Sequence, residues 1–245
     1  MTTLLQLDQT VIDKVECDEI DNIHLYIDPH ELHELDSAAA IQHNLLAKLK
    51  KRLLNRCTKA GFVVSNNLPG SSRADTAIEI VSREAGIAPP EHMNGSWLYR
   101  VCYRYTVCNP PIDVIIPTVV CSKNKMGMMT TFWPFCRDTT DADDAQQDPS
   151  KKWCVKADQM HQARLTKYLV ILLPKALHTD TATAQAYADY EKHMETDAVT
   201  KQGKPVVRVK ILQKKFDIND KQISAVGVLV PDVPDDDVAD GEEDT

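Results

Sequence analysis

Hydrophobic and polar positions alternate along this chain mostly in short runs, with one long stretch of a different period. Alternation at period two marks a half-buried strand, and recurrence every three to four residues marks a helix lying on a core. Ile23, Leu25 and Ile27 alternate with polar neighbours, which predicts a strand over Ile20–Ile27 that Pro29 stops. Asp36 or Ser37 then offers an N-cap to a helix that carries Ile41, Leu45, Leu46, Leu49, Leu53 and Leu54 on one stripe and ends before Gly61. Its other face holds Lys48, Lys50, Lys51, Arg52 and Arg56. A short strand Phe62–Ser65, a turn on Asn66, Asn67, Pro69 and Gly70, and a strand Ala77–Ser82 complete an N-terminal α+β unit.

From Trp97 the pattern becomes β-rich. Trp97, Tyr99, Val101, Tyr103, Tyr105 and Val107 share one side of a long strand, with Arg100 and Arg104 on the other, until Asn109-Pro110-Pro111 breaks it. Further strands are predicted over Val114–Cys121, Met128–Phe135, Tyr168–Leu173, Val206–Leu212 and Ile223–Val230, with a short helix around Ala182–His193 and a turn at Asn219-Asp220. Five short strands with a helix between the third and fourth is the plan of a small Greek-key barrel of the OB type. Pro117, inside the first of them, predicts an edge position or an open seam, because proline cannot donate to a ladder. The expected organisation is residues 1–108 as the first domain, 109–230 as the barrel with an insertion at 137–165, and 231–245 as an acidic tail.

Charge changes this picture in one place. The 245 residues carry 28 Lys plus Arg against 36 Asp plus Glu, a formal charge of −8. Eight of those acids, at Asp232, Asp235, Asp236, Asp237, Asp240, Glu242, Glu243 and Asp244, stand in the tail without a base. The body is therefore neutral, and the tail is expected to be a disordered polyanion that repels stray nucleic acid or covers a basic face. No apolar run approaches the ~18 residues of a membrane span, so no membrane contact is expected. The first residues lack the basic and apolar regions of a secretory signal. Seven scattered cysteines, without a C-x-x-C, read as reduced thiols of an intracellular protein.

An OB barrel binds single strands by stacking bases on aromatics and following phosphates with positive charge. The candidates for RNA contact are the turn Lys123, Asn124 and Lys125, the aromatics Phe132, Trp133 and Phe135, then Tyr168, Lys175 and His178, and finally Lys210, Lys214, Lys215 and Phe216. Alternate residues of a barrel strand point inward, so these aromatics divide between stacking platforms and core. Other chemistry is poorly marked. His24, Asp28, His30, His33 and Glu34 cluster in sequence, but their spacing is not H-E-x-x-H and no cysteine pair accompanies them, so a solvated loop is the expected reading and no metal or cofactor is implied. No cysteine stands in a recognisable activating context, and no G-x-x-x-x-G-K-[ST], G-x-G-x-x-G or G-x-S-x-G string occurs, which favours a binding protein over an enzyme.

The order of elements and several strings resemble the larger stalk subunit of multisubunit RNA polymerases, the seventh-largest subunit of eukaryotic polymerase II and its archaeal counterpart. LLAKLKKRLLNRC followed by Gly61-Phe62-Val63-Val64 resembles that family's tip-domain helix and the strand after it. GSWLYRVCYRYTVCNP, residues 95–110, resembles its connecting strand with the Tyr103-Arg104 pair and closing Pro110, and VVRVKILQKKFDINDKQISAVGVL, residues 206–229, its last two barrel strands. CNPP and KNKMG are similar to versions encoded by large DNA viruses of eukaryotes. The resemblance spans residues 15 to 230 and implies an N-terminal tip domain with a helix across a small sheet, joined to an S1-type OB barrel.

It also implies a non-catalytic subunit that docks on polymerase core subunits through Leu45, Leu49, Lys51, Arg52, Tyr103 and Arg104. Such a subunit pairs with a smaller stalk subunit and touches emerging single-stranded RNA. The expected location is the host cytoplasm or virion for a viral chain and the nucleus for a cellular one. The alternative is a free-standing S1-type RNA-binding protein or translation factor, which has no need of an apolar docking edge around residues 20–65. A third reading, an enzyme using Cys/His or metal chemistry, requires several of those side chains gathered in one pocket.

Overall fold

The computed structural model describes residues 8–32, 37–65, 78–89, 95–135, 154–155, 167–195 and 204–231. The expected turn at 66–70, almost all of the insertion at 137–165, His33, Glu34 and the acids of the tail lie outside these residues.

The chain opens with a short helix α1 (Gln9–Asp13), capped by Asp8, whose carboxylate accepts from the Thr10 and Val11 amides. Strand β1 (Glu16–Ile27) follows, then one helical turn α2 (Pro29–Leu32) and helix α3 (Ala38–Leu53). Ser37 caps α3 by accepting from the Ala40 amide at 3.2 Å. At its other end Asn55 takes φ 59°, a left-handed turn that asparagine tolerates, and sends the chain into β2 (Phe62–Val63). Strands β3 (Ile78–Arg83) and β4 (Trp97–Cys108) complete a four-stranded antiparallel sheet. The central strand is β4: it pairs along its whole length with β1, from Glu16 opposite Cys108 to Ile27 opposite Trp97, and with β2 and β3 on its other side. Leu45 and Leu49 of α3 press onto the face formed by Leu25, Ile27, Tyr99, Val101, Tyr103, Tyr105 and Val107. On the opposite face of this sheet Ile20 and Tyr26 are exposed, and no helix among the described residues covers it.

The second half is a closed barrel of five strands: β5 (Ile115–Asn124), β6 (Gly127–Phe132), β8 (Leu169–Pro174), β9 (Lys204–Lys215) and β10 (Ile223–Leu229), with the two-residue β7 (Cys154–Val155) added to the edge of β9. β5, β6 and β8 run antiparallel in turn, β8 and β10 are parallel, and β10–β9 and β9–β5 antiparallel pairings return to the start. Helix α4 (Thr181–Glu195) lies between the third and fourth barrel strands. This is mixed α+β architecture with a barrel consistent with an OB fold.

The seam expected at Pro117 is absent. Pro117 pairs with Arg208 of β9 and its carbonyl accepts from the Trp133 amide at 3.0 Å. In an extended strand a residue's N and O point to the same side, so the missing donor of Pro117 faces β6 beyond the last ladder pair, Thr118 with Phe132. The barrel thus loses no ladder bond there. Strand β1 begins at Glu16, four residues before the predicted start, because Cys17–Asn22 are exposed and carry no alternation of burial to read.

The two units share one apolar core. Val15, Cys57, Phe62, Val64 and Cys108 of the N-terminal half pack with Phe132, Tyr168, Leu169 and Ile223 of the barrel. Gly61 sits at this crossing with φ 149°, and a Cβ there would lie 2.4 Å from the Cys108 carbonyl oxygen. Both backbone conformation and space require glycine. The Gly61→Ala variant is expected to lose more than about 1 kcal/mol in urea unfolding; unchanged stability would contradict this description of the crossing.

Candidate nucleic-acid interface

The residues expected to face RNA are largely consumed by the fold. Phe132 and Trp133 are fully buried and Phe135 nearly so, with Trp133 and Phe135 edge to face at 4.8 Å. Phe132, the last residue of β6, belongs to the barrel core, and Trp133 and Phe135 are buried just beyond that strand, so none of the three offers a ring to a base. Tyr168 is also buried: its ring stacks on Phe62 at 5.3 Å, Phe132 meets it edge-on, and its hydroxyl donates to the Glu16 carboxylate at 3.1 Å. It joins the two units and presents no ring to a base.

The polar candidates divide in the same way. Asn124 holds the β5–β6 turn by accepting from the Met126 and Gly127 amides, both at 2.9 Å. Lys123 and Lys175 converge on Glu191 of α4 at 3.0 and 3.2 Å. Their hydrogen bonds hold the Glu191 carboxyl below the usual range, Lys123 contributing most. Lys210 pairs with Asp113 at 3.1 Å. Lys214 donates to the Asn109 side chain and, at 2.8 Å, to the Pro110 carbonyl, so it fastens the link between the units; its burial lowers the ammonium's pKa. Lys125 and Lys215 are exposed and take part in no ion pair among the described residues.

His178 is a latch rather than a ligand-facing group. It is buried, with Nδ1–H donating to the Pro174 carbonyl at 2.9 Å and Nε2 accepting the Leu229 amide at 3.0 Å, while its ring lies 4.6 Å from Tyr187 of α4. This arrangement needs the neutral imidazole.

The docking candidates separate too. Leu45, Leu49 and Tyr103 are buried between α3 and the sheet and are structural. Lys51 and Arg52 are exposed on α3, and Arg104 lies on the open sheet face, 3.7 Å from Glu79. The acid-rich stretch entering α3 is also engaged: Asp28 accepts from Ser96, and Glu31 accepts from the Asp28 amide and from Lys48. Among the described residues no group of three or more His, Cys, Asp or Glu side chains could hold a metal. Burial raises the Cys57 thiol to about 11, helped by Asp220, and raises Cys108 and Cys17 as well. These three remain thiols near neutrality, unlike activated nucleophiles.

Two clefts open beside the crossing of the units. One, of about 480 Å³, is lined by Leu54, Asn55, Arg56, Phe62, Ser65, Lys167, Tyr168, Lys221 and Gln222. The other, of about 540 Å³, includes Glu19, Ile20, Asp21, Arg52, Tyr103 and Ile218 and shares Arg56. The first cleft brings together cations at 56, 167 and 221, a grouping that no local spacing announces. Arg56 was visible only as part of the helix's basic face.

No protein-family model and no curated protein sequence matches this chain.

The latch gives a pH dependence. Burial lowers the His178 pKa below its ordinary 6.5, so the unfolded chain takes up this proton more readily than the folded one. Stability from neutral His178 is then present above about pH 6.5 and is lost as the pH falls from there through the lowered folded value. Urea unfolding is expected to show less stability at about pH 5 than at about pH 7.5, and His178→Phe is expected to flatten that difference while lowering stability at the higher pH. An identical pH dependence in the variant would remove His178 as its source.

Proposed function

We propose that this chain is a non-catalytic subunit of a DNA-directed RNA polymerase of the larger stalk type. Its N-terminal unit acts as the tip domain that docks on the polymerase core, and its S1-type barrel projects outward to contact emerging single-stranded RNA. The observation that carries the reading is the architecture in sequence order. A helix-covered sheet passes through its central strand, β4, and the closing Pro110 directly into a closed barrel whose third and fifth strands are parallel.

Docking falls on the surface the N-terminal unit leaves uncovered: the sheet face with Ile20, Tyr26 and Arg104, and the exposed Lys51 and Arg52 of α3. A smaller stalk subunit and the polymerase core subunits are the partners of this reading. The virion or host cytoplasm is its location if the chain is viral, as CNPP and KNKMG favour.

The competing reading is a free-standing S1-type RNA-binding protein or translation factor. Burial of Leu45 and Leu49 within the chain favours it, since they need no partner. Exposure of Ile20 at 58% and Tyr26 at 42% favours attachment, because an isolated factor gains nothing from leaving them in water.

Affinity purification of the tagged chain from its native source is expected to recover the two largest polymerase subunits. Recovery of the chain alone or on ribosomes would overturn the proposal.

A further inference from the structure

Most of the cations expected to line an RNA path are engaged by the fold, Lys125 and Lys215 excepted, whereas those of the cleft beside the crossing are not. Lys123 and Lys175 share the Glu191 carboxylate, Lys210 pairs with Asp113, and Lys214 is committed to Asn109 and Pro110. By contrast, Arg56, Lys167 and Lys221 line a cleft with no carboxylate among the described residues of its walls. Among the described residues none of the three has an acidic group within ion-pairing distance. The nearest acidic residue of the same loop, Asp220, turns its carboxylate back to the Asp217 amide at 2.7 Å.

The fold assembles this cleft from four separate pieces. Arg56 and Asn55 stand where α3 has just ended, and the left-handed Asn55 turns the chain so that Arg56 leaves the helix axis. Ser65 stands two residues after β2, and Lys167 two residues before β8. Lys221 and Gln222 belong to the loop joining β9 to β10. That loop is held against the N-terminal unit by two backbone hydrogen bonds, from the Cys57 amide to Asp220 at 2.7 Å and from the Asn219 amide to Cys57 at 2.8 Å. The cations are thus presented on a fixed frame.

We infer that this cleft is a binding site for the phosphodiester backbone of single-stranded RNA, formed jointly by the N-terminal unit and the barrel. The inference deepens the proposed RNA contact and rests on that reading. In barrels of this plan the loop between the fourth and fifth strands borders the path of a bound single strand, and Lys221 and Gln222 lie on that loop. Guanidinium and ammonium groups with hydroxyl and amide donors suit phosphate oxygens. The two aromatic rings at the cleft, Phe62 and Tyr168, are stacked on each other and buried, so they offer no platform to a base. Recognition is therefore of the backbone, and sequence is not read.

The test is fluorescence anisotropy of the full chain with a labelled oligouridine at several salt concentrations. Three engaged phosphates correspond to a slope of about −2 in log K against log salt, at ~0.7 per phosphate of a single strand. The triple variant Arg56→Gln, Lys167→Gln, Lys221→Gln is expected to lose at least about tenfold in affinity and about 2 units of that slope. A control changing Lys125 and Lys215 to Gln is expected to stay within about twofold. All of these side chains are exposed, and circular dichroism checks that each variant folds. A triple variant that binds like the unchanged chain, or a control that loses as much, overturns the cleft. So does a polyglutamate peptide of equal charge that binds as tightly as RNA, since the site would then read charge alone. An unchanged chain without measurable RNA affinity overturns the RNA contact altogether, while attachment to polymerase is decided separately by the purification.

Discussion

The rest of this structure depends on the packing of Tyr168 against Phe62. One ring comes from the first residue before the third barrel strand and the other from a two-residue strand of the N-terminal sheet, and they stack nearly parallel, with planes 12° apart. Around them Val15, Cys57, Val64 and Cys108 continue the barrel core into the N-terminal half. Burying two aromatic side chains removes enough apolar surface from water to contribute a few kcal/mol, comparable with a sizeable part of a domain's net stability. Separating the units would expose this surface and strand the Tyr168 hydroxyl and Glu16 carboxylate that now meet. The link between the units is therefore an extension of one core.

That constraint shapes the polar surface as well. The β9–β10 loop is pulled onto Cys57, Lys214 is drawn to Asn109, and Asn109 reaches both the Val15 carbonyl through its amide and the Ala60 carbonyl through its side chain. Much of the positive charge that a free barrel would display is engaged in fastening the halves or by Glu191 and Asp113. At the cleft, cations from both halves converge, and the described residues of its lining include no carboxylate. A chain neutral over residues 1–231 can thus still hold a local cationic groove, because its acids are placed elsewhere.

Much of the architecture was legible in the sequence. The alternation from Trp97 to Val107 specified β4 and its buried face, and the leucine stripe after a cap at Asp36 or Ser37 specified α3, with the choice of Ser37 made by the structure. The start of β1 was not legible, since Cys17–Asn22 are exposed and leave no period to detect. The role of Pro117 depended on which side of β5 its missing donor faces, and only the strand register decides that.

The candidate site was less legible than the fold. Phe132, Trp133 and Tyr168 are chemically as suited to stacking as to packing, and their burial is set by neighbours distant in sequence, Phe62 and Glu16 among them. Lys123, Lys175 and Lys210, which look free along the chain, are paired with Glu191 and Asp113, and the cleft unites positions 56, 167 and 221. Such groupings arise from topology alone.

The central claim is that sheet and barrel form one cooperative body through this crossing. Hydrogen exchange of the Cys57 and Asn219 amides measures it directly, because these two donors bridge the units. A single body predicts that both exchange as slowly as the amides of β4 and β8, through global opening. Exchange at these two positions orders of magnitude faster than in either set of core strands would mean that the halves part while each stays folded, and would contradict the account.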